Sequence, residues 1–377
     1  MNLRFRKRGA PVALVLAFAF VATACSSGGS PSPSSPASAG TPASAGTSAS
    51  ASIDPTAPYP SKSGNLPSVT IAQSVPALSF AAFLVAKDMN FFEYQGVKLE
   101  FIQLQSGATT TQAMQSGSVD LVDSASTEVA GAVAQGLDIQ AIQNTIMMTL
   151  QFCVSKDWAQ QHKVTADSTL QEKMAAMKGA TIGITGPGAV SDKGTRFLLK
   201  KYGNLNPDTD TTIVQVGGAS AIPGALDAGQ IQGFLLSPPA CGATKNGMVL
   251  VDPSQVPEFQ NYTHEVVYAS KTWLTAHKDL ASAVATAISM GNNFILKHPD
   301  AALALLKKDF PKVDPNVIET AFNDTIKPQI KPDGKFDASM WQNTNQVLLD
   351  AGIIKQAVDT SEGSIWTNEY IGDASVR

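Results

Sequence analysis

Residues 107–120 read GATTTQAMQSGSVD, and residues 218–232 repeat the same pattern as GASAIPGALDAGQIQ. Each segment begins with Gly-Ala and a hydroxyl residue, continues as a helix, stops at a second glycine and passes into a strand. The first glycine allows the turn into the helix, the hydroxyl caps free amides, and the second glycine ends the helix in a left-handed conformation. Because each copy sits among its own strands and helices, the repeat predicts two similar lobes.

Strand and helix signals alternate on both sides of these segments, and from about residue 273 the pattern becomes helical. Residues 97–101 (VKLEF), for example, alternate apolar and polar side chains with a period of two, as a half-buried strand does. Strands that alternate with single helices indicate βαβ units. The sequence therefore predicts an α/β fold in which each lobe is a mostly parallel sheet flanked by helices.

The N-terminus has the pattern of an export signal. Four basic residues within positions 4–8 precede an apolar run over 10–21, and Cys25 follows a short stretch of small residues. The run is too short to span a bilayer permanently and suits a signal peptide. A cysteine in this place resembles a bacterial lipobox, in which it receives a diacylglycerol and becomes the mature N-terminus. We predict a signal peptide over 1–24 and a lipidated, palmitate-bearing Cys25, the alternative being an ordinary secretory signal.

Residues 26–66 look like a flexible tether. Ser, Pro, Ala, Gly and Thr supply 35 of these 41 residues, too little apolar area to offset the entropy of ordering. No later segment reaches 18 uninterrupted apolar residues, so no second membrane span is predicted. We therefore expect an extracytoplasmic protein that is anchored to the cell membrane by lipid, with its folded body over 67–377.

The charge balance argues against nucleic-acid binding. Removing the four basic residues of the leader from the total of 27 Lys and Arg leaves 23 against 31 acidic residues, a net charge of −8. An acidic body without a basic stripe lacks the positive charge that displaces counterions from nucleic acid. A hydrophobic content of 44% with only 15% charged residues is ample for a buried core.

The inventory of reactive residues does not favour an enzyme. The four histidines share no metal-ligand spacing, and Cys153 and Cys241 form no CxxC motif, so we expect no metal and no cofactor. A Ser-His-Asp arrangement stays open, although no Gly-x-Ser-x-Gly elbow is present. In an oxidising exterior Cys153 and Cys241 are expected to form a disulfide, the alternative being two buried thiols.

Three motifs resemble those of solute-binding proteins for nitrate, sulfonate, taurine and thiamine-precursor importers. Residues 86–100 (AKDMNFFEYQGVKLE) are similar to the family's opening, residues 113–120 (AMQSGSVD) resemble its helix-to-strand turn, and residues 177–184 (MKGATIGI) resemble the opening of its second lobe. The resemblance runs in order over about 70–375. Asn90 stands where the family usually has glycine, and Gln232 where it usually has an acid.

The resemblance implies a type II periplasmic-binding-protein fold, in which the chain crosses twice between two lobes that close on a solute. The crossings are expected near 148–152 and near 262–270. On this basis lobe one comprises 67–150 and 265–377, and lobe two comprises 151–264.

Candidate ligand contacts lie in loops that precede helices at the carboxyl ends of strands, where free amides and the helix dipole favour an anion. The candidates are Ser74, Ser79, Phe80, Ser106, Gly107, Thr109, Ser124, Ser126, Thr127, Gly188, Ala189, Ser191, Gly218, Ser220 and Ser237. Each hydroxyl residue is alternatively a simple helix cap. Phe80 and Tyr268 are candidates for stacking on a ring, although either fits a core position equally well.

The resemblance thus implies a monomeric, lipid-anchored solute receptor of an ABC importer, whose permease and ATPase are other chains. The expected solute is a small anion such as a sulfonate, nitrate or taurine, and the runner-up is a neutral heteroaromatic such as a thiamine-precursor pyrimidine. The resemblance is also compatible with a sensor or adhesin lipoprotein that takes no part in transport. A fourth reading is an enzyme similar to the thiamine-pyrimidine synthases, whose cysteine-rich run is missing from this sequence.

Overall fold

A computed structural model of the chain describes Asp54 and residues 56–377. The predicted signal peptide, the lipidation of Cys25 and most of the predicted tether lie outside the described residues and stay predictions. Among the residues that are described, no helix combines the length and the apolar character needed to cross a membrane.

Residues 56–66, the last part of the predicted tether, are largely exposed but are attached to the folded chain at Tyr59 and Lys62. Tyr59 is buried, and its ring lies edge-on to Phe91 with 4.9 Å between the ring centroids. The guanidinium of Arg377 lies 3.9 Å from the centroid of the same ring. The composition suggested a tether up to residue 66, but Tyr59 supplies an aromatic anchor that the Ser, Pro and Ala residues before it lack.

The described residues form two five-stranded sheets. The strands are β1 (Ser68–Gln73), β2 (Lys98–Gln103), β3 (Leu121–Ala125), β4 (Ile139–Met147), β5 (Gln151–Ser155), β6 (Thr181–Ile184), β7 (Thr212–Gln215), β8 (Gly233–Leu236), β9 (Gly247–Val251) and β10 (Thr263–Ser270). The strand order is β2-β1-β3-β10-β4 in the first sheet and β7-β6-β8-β5-β9 in the second.

Helices cover these sheets and form most of the C-terminal part. They are α1 (Ala81–Asp88), α2 (Phe91–Gln95), α3 (Gly107–Gln115), α4 (Ser126–Val133), α5 (Lys156–His162), α6 (Leu170–Ala175), α7 (Val190–Lys201), α8 (Ile222–Asp227), α9 (Lys271–Ala276), α10 (Lys278–Lys297), α11 (Pro299–Asp309), α12 (Pro315–Ala321) and α13 (Ala338–Ala351). A π-helical turn, Phe322–Ile326, follows α12.

The two sheets have the same topology. Within each, four strands run in one direction and a single strand runs against them, β10 in the first sheet and β5 in the second. The repeated segments occupy matching places, because each leads through a helix into the central strand, β3 or β8. The predicted α/β fold is thus confirmed, with sheets that are mixed because of the one antiparallel strand.

The chain passes between the sheets twice. Residues 148–150 connect β4 to β5, and residues 252–262 connect β9 back to β10. The second connection ends where the predicted crossing range of 262–270 begins. The division into lobes at residues 150 and 264 stays a prediction. Helix α13 contacts a helix beside each sheet, because it packs on α4 and on α7. Its Val347 and Ala351 belong to the apolar core of the second sheet.

Helix α10 packs against α1 at very short range. Gly291 faces the backbone of Ala82, and a β-carbon at Gly291 would overlap the carbonyl oxygen of Ala82. The two helices enclose part of the main apolar core, which includes the fully buried Phe83 and Phe294. The absence of a side chain at residue 291 therefore sets the distance between these helices.

Replacing this glycine is expected to destabilise the protein. Gly291→Ala should lower the free energy of unfolding by about 3 kcal/mol, because overpacking forces backbone apart. Gly224→Ala is the matched control, since Gly224 is helical and a β-carbon there meets no atom within 4 Å. That change should be neutral or stabilise by about 0.5–1 kcal/mol. Urea denaturation checks both, and equal effects of the two variants would contradict the close approach.

Cys153 of β5 and Cys241 form a disulfide, with 5.6 Å between their α-carbons. Cys241 belongs to the segment that follows β8, so the bond ties this segment to the neighbouring strand of the second sheet. The bond closes a loop between positions 88 residues apart, and the loss of unfolded-state entropy in such a loop stabilises the folded chain.

Thiol titration tests this bond in a Cys25→Ser background, which leaves two cysteines. The unfolded protein should show no free thiol before reduction and two after it, and reduction should cost about 2–4 kcal/mol of unfolding free energy. A Cys153→Ser/Cys241→Ser variant serves as control and should not respond to reductant. Two free thiols before reduction would contradict the disulfide.

Candidate functional site

A cavity of about 520 Å³ is lined by residues from both sheets. On the first sheet, Ser74 directly follows β1 and Ser124 lies near the end of β3. On the second, Thr185 directly follows β6 and Ser237 directly follows β8. All four hydroxyl residues thus stand at the carboxyl ends of parallel strands, the edge of an α/β sheet at which ligands bind. The cavity is the candidate functional site.

Six of the predicted contact residues line this cavity. They are Ser74, Gly107, Ser124, Ser191, Ser220 and Ser237. Gly107 opens α3, and Ser191 lies in the first turn of α7, so both sheets also present the start of a helix to the cavity. The sequence found these positions because a strand followed by a hydroxyl or glycine and then a helix is a local pattern.

Other candidates on the first-sheet side are used within the protein. Ser79 is buried and donates a hydrogen bond of 3.1 Å to Oε1 of Glu265, and Ser126 donates to the carbonyl oxygen of Thr263 at 2.7 Å. The hydroxyl of Thr109 donates to the carbonyl oxygen of Ser106 within its own helical turn, at 2.7 Å. The hydroxyl groups of these three residues therefore make local or structural hydrogen bonds within the protein, which was the alternative to a ligand contact.

Four more predicted contact residues do not line the cavity. They are Thr127, Gly188, Ala189 and Gly218. Thr127 is buried and donates to Oε2 of Glu128. The amide of Gly188 donates to Asp192 at 2.8 Å, and Ala189 is the N-cap of α7. Gly218 lies against the side chain of Gln105, which a β-carbon there would approach to 2.8 Å.

Neither aromatic candidate for ring stacking reaches the cavity. Phe80 is fully buried, and Tyr268 is fully buried with its hydroxyl 2.8 Å from the hydroxyl of Thr111. The aromatic residue on the cavity wall is instead Phe310, which directly follows α11. Sequence reasoning missed Phe310, because the helical C-terminal region gives no local signal that its loop returns to the strand ends.

A buried carboxylate and a buried ammonium link the two sheets beside the cavity. Oε1 of Glu128, in α4, accepts a 3.0 Å hydrogen bond from the amide of Val190 at the start of α7. Lys193, in α7, donates a 3.0 Å hydrogen bond to the carbonyl oxygen of Thr127. Burial raises the pKa of Glu128 and lowers the pKa of Lys193, while their mutual attraction opposes both shifts. The start of α7, predicted as an anion site, therefore already faces a carboxylate of the protein itself.

Glu265 is the most buried acidic group on the cavity wall. It lines the cavity and is only 3% exposed. Burial raises its pKa well above the usual range, and the negative charges of Asp123 and Glu128 add to the shift. Sequence reasoning missed this residue, although an acid inside the apolar strand HEVVYA was a signal that was available.

His264 connects Glu265 to the first crossing between the sheets. Its Nδ1 lies 3.1 Å from the hydroxyl of Thr149, which in turn lies 2.9 Å from the hydroxyl of Ser237. Its Nε2 lies 3.4 Å from Oε1 of Glu265. Burial lowers the pKa of His264 to about 3, so the imidazole is neutral at physiological pH. A series of polar groups thus runs from Ser237, through Thr149 of the first connection, to His264 and Glu265 of β10.

The rest of the wall is largely apolar. The apolar residues that the cavity contacts include Val75, Pro76, Leu150, Leu236 and Phe310. Lys312 and Asp309 also lie on the wall, and the carboxylate of Asp309 pairs with Lys87 at 3.2 Å. Across residues 54 and 56–377, no group of three or more His, Cys, Asp or Glu is arranged to hold a metal ion. The site therefore suits a small organic solute with a few polar groups.

Comparison with known families assigns the chain to one of them. Residues 77–302 match the family described as NMT1/THI5 like, which is more than half of the chain. The chain belongs to the NMT1/THI5-like family. Solved structures that resemble this family member are mostly binding proteins of ABC import systems, for ligands that include sulfonates and nitrate.

Individual relatives of this NMT1/THI5-like protein are distant. A protein of Haemophilus influenzae, provisionally named as a thiamine biosynthesis protein, is 24% identical over 293 residues, 76% of this chain and 87% of the relative. A solved structure from Bordetella bronchiseptica RB50 has a TM-score of 0.69 at 23% identity, covering 81% of this chain and 95% of the other. The alkanesulfonate-binding protein of Xanthomonas axonopodis pv. citri, bound to MOPS, has a TM-score of 0.61 at 17% identity, covering 78% and 96%. These likenesses show the fold.

The link between Glu128 and Lys193 can be tested by substitution. Glu128→Gln should lower the unfolding free energy by about 3 kcal/mol, because it removes the larger of the two acidic charges that attract the buried ammonium of Lys193, the other being Asp192. Adding Lys193→Met should recover part of the loss, since the ammonium of Lys193 is then no longer buried. Urea denaturation measures both variants.

The matched control is Glu319→Gln, whose carboxylate pairs with Lys307 at the surface and is 50% exposed. Its effect should stay within about 0.5 kcal/mol. If Glu128→Gln were as mild as this control, the buried pair would not be a structural link.

Proposed function

We propose that this NMT1/THI5-like protein is an extracytoplasmic solute-binding receptor of an ABC importer and that it is not an enzyme. The cavity carries the proposal, because two sheets of the same topology present the carboxyl ends of their strands to one space. Only a ligand that touches the strand ends of both sheets gains the contacts that the whole cavity offers. The similarity to binding proteins of ABC import systems supports the same conclusion.

The mechanism that we propose is closure of two lobes on the solute. A solute that contacts Ser124 on one side and Ser191 or Ser237 on the other stabilises the closed arrangement relative to an open one. The two connections, at 148–150 and 252–262, are short enough to act as a hinge. We propose the division at residues 150 and 264 as the boundary between the moving parts.

The partners that we propose are a permease and an ATPase in other chains, with the receptor acting as a monomer held to the membrane by a lipid on Cys25. The family resemblance supports this arrangement. A catalytic role has little support in the described residues, because Cys153 and Cys241 are bonded to each other and offer no free thiol.

Two solute classes have a specific feature in their favour. Lys312, the basic residue on the wall of the cavity in the part of the chain that the structure describes, favours the anionic solute predicted from the sequence. Phe310 and the apolar wall favour the heteroaromatic alternative, because a ring gains both apolar burial and stacking.

A thermal-shift screen with sulfonates, nitrate and aminopyrimidines, followed by small-angle X-ray scattering, tests the receptor function. A cognate solute should raise the melting temperature by several degrees, because it binds only the folded state, and should lower the radius of gyration through closure. If no small solute of any class changed either quantity, the receptor proposal would be wrong.

Two substitutions on one loop separate the solute classes. Phe310→Ala should weaken a heteroaromatic solute about tenfold and leave an anion nearly unchanged, since base–aromatic stacking is worth about 1–3 kcal/mol. Lys312→Met should show the reverse. Calorimetric titration of both variants with the solute found in the screen measures the ratio of the two effects.

A further inference from the structure

One wall of the cavity carries two hydrogen-bonding atoms that the protein leaves without a partner. Oε2 of Glu265 and the hydroxyl of Ser124 are buried, and neither has a hydrogen-bond partner among the described residues. Both residues line the cavity. A buried polar group without a partner costs free energy, and in a binding site the expected partner is a group of the ligand.

The backbone places both residues at the same edge of the first sheet. Glu265 lies opposite Ala125 in the pairing of β10 with β3, and Ser124 lies opposite Val266. The pairing of β10 with β4 shifts register on both sides of Glu265, which is a β-bulge. A bulge turns side chains away from strict alternation, as is frequent beside functional sites. The geometry of this bulge brings Glu265 to the cavity while His264 stays buried next to it.

One oxygen of Glu265 is held by the protein and the other is left to the ligand. Oε1 accepts the hydrogen bond from Ser79 at 3.1 Å and lies 3.4 Å from Nε2 of His264. This contact fixes the orientation of the carboxyl group, so that Oε2 is left without a protein partner at the cavity. An acceptor that is already oriented loses little entropy when a ligand binds.

The charges near Glu265 select against an anionic group at this place. Asp123 and Glu128 are the acidic groups that add to the raised pKa of Glu265, and burial raises the pKa of each of them as well, that of Asp123 to about 7. His264, the adjacent basic residue, is neutral because burial lowers its pKa to about 3. A ligand group that donates hydrogen bonds offsets this negative field, whereas a sulfonate or carboxylate here would be repelled.

We infer that Glu265 and Ser124 form a subsite for a nitrogen of the solute that donates hydrogen bonds, as in an amine or in the amino group of a heteroaromatic ring. The inference rests on the proposed receptor function and narrows its solute class. The nitrogen lies against Oε2 of Glu265, the hydroxyl of Ser124 offers the solute a second polar contact, and the rest of the solute extends along the apolar wall.

Matched pairs of solutes that differ only in the amino group test this subsite. The pairs are taurine with ethanesulfonate and 4-aminopyrimidine with pyrimidine, titrated by calorimetry into the full folded chain. The amino member of at least one pair should bind about tenfold more tightly, since a hydrogen bond to a charged or strongly polar group is worth about 1.5–3 kcal/mol. Equal or weaker binding of the amino member in both pairs would overturn the subsite.

Variants of Glu265 identify the group that is responsible. Glu265→Met should abolish the preference for the amino member, because it removes the acceptor at similar size. Glu265→Gln keeps an acceptor but cannot ionise when a cation binds, so it should abolish the preference for an ammonium and largely keep the preference for a neutral amino group. Ser124→Ala, which leaves the carboxyl group in place, should reduce the preference several-fold. Circular dichroism establishes that each variant is folded.

Asp309→Asn tests the competing assignment, because Asp309 is a second carboxylate on the cavity wall, with Oδ1 paired to Lys87 and Oδ2 buried without a partner. It should leave the preference for the amino member unchanged. If Asp309→Asn abolished the preference while Glu265→Met did not, the assignment to Glu265 would be overturned. If either member of a pair binds and compacts the protein, the receptor function is supported even when the amino group makes no difference. The receptor function and the amino subsite can therefore fail independently. If no member of either pair bound, the inferred solute class would be wrong, and the wider screen would decide the receptor function.

Discussion

The antiparallel strand in each sheet is the constraint on which the cavity depends. Strands β5 and β10 each follow a connection between the sheets and enter their sheet against the direction of its other strands. The start of each therefore lies at the carboxyl edge of the parallel strands, where a ligand is expected to bind. This geometry puts Leu150, in the first connection, and Glu265, near the start of β10, on the same cavity wall. The connecting segments and the ligand contacts are consequently neighbours rather than separate regions.

Four polar side chains beside the first connection contact one another in series. The hydroxyl groups of Ser237 and Thr149, the imidazole of His264 and the carboxyl group of Glu265 follow one another at 2.9, 3.1 and 3.4 Å. Thr149 lies in the first connection and His264 is the second residue of β10, so the series joins that connection to the strand that follows the other. In a low-dielectric interior such networks resist partial disruption. A ligand at Glu265 and a movement between the sheets would therefore act on neighbouring polar groups.

Local patterns in the sequence predicted most of the elements that surround the site. Strand followed by hydroxyl or glycine followed by helix is a short-range signal, and it located Ser74, Gly107, Ser124 and Ser237 on the cavity wall. The same signal also selected Ser126, whose hydroxyl is bonded to the backbone of β10. A loop at a helix start has two sides, and the sequence does not indicate which side faces the other sheet.

The sequence by itself determined the alternation of strands and helices, the duplicated topology and the family, because these depend on periodicity, turn residues and short motifs. Only the tertiary structure decided which groups give the cavity its chemistry. Glu265 reaches it through a bulge in a long-range strand pairing, and Phe310 reaches it from a helical region far along the chain. Glu128 occupies the start of α7 from the opposite sheet, which turned an expected anion site into an internal contact. The physical reason is common to all three, since burial and charge depend on neighbours that are distant in sequence.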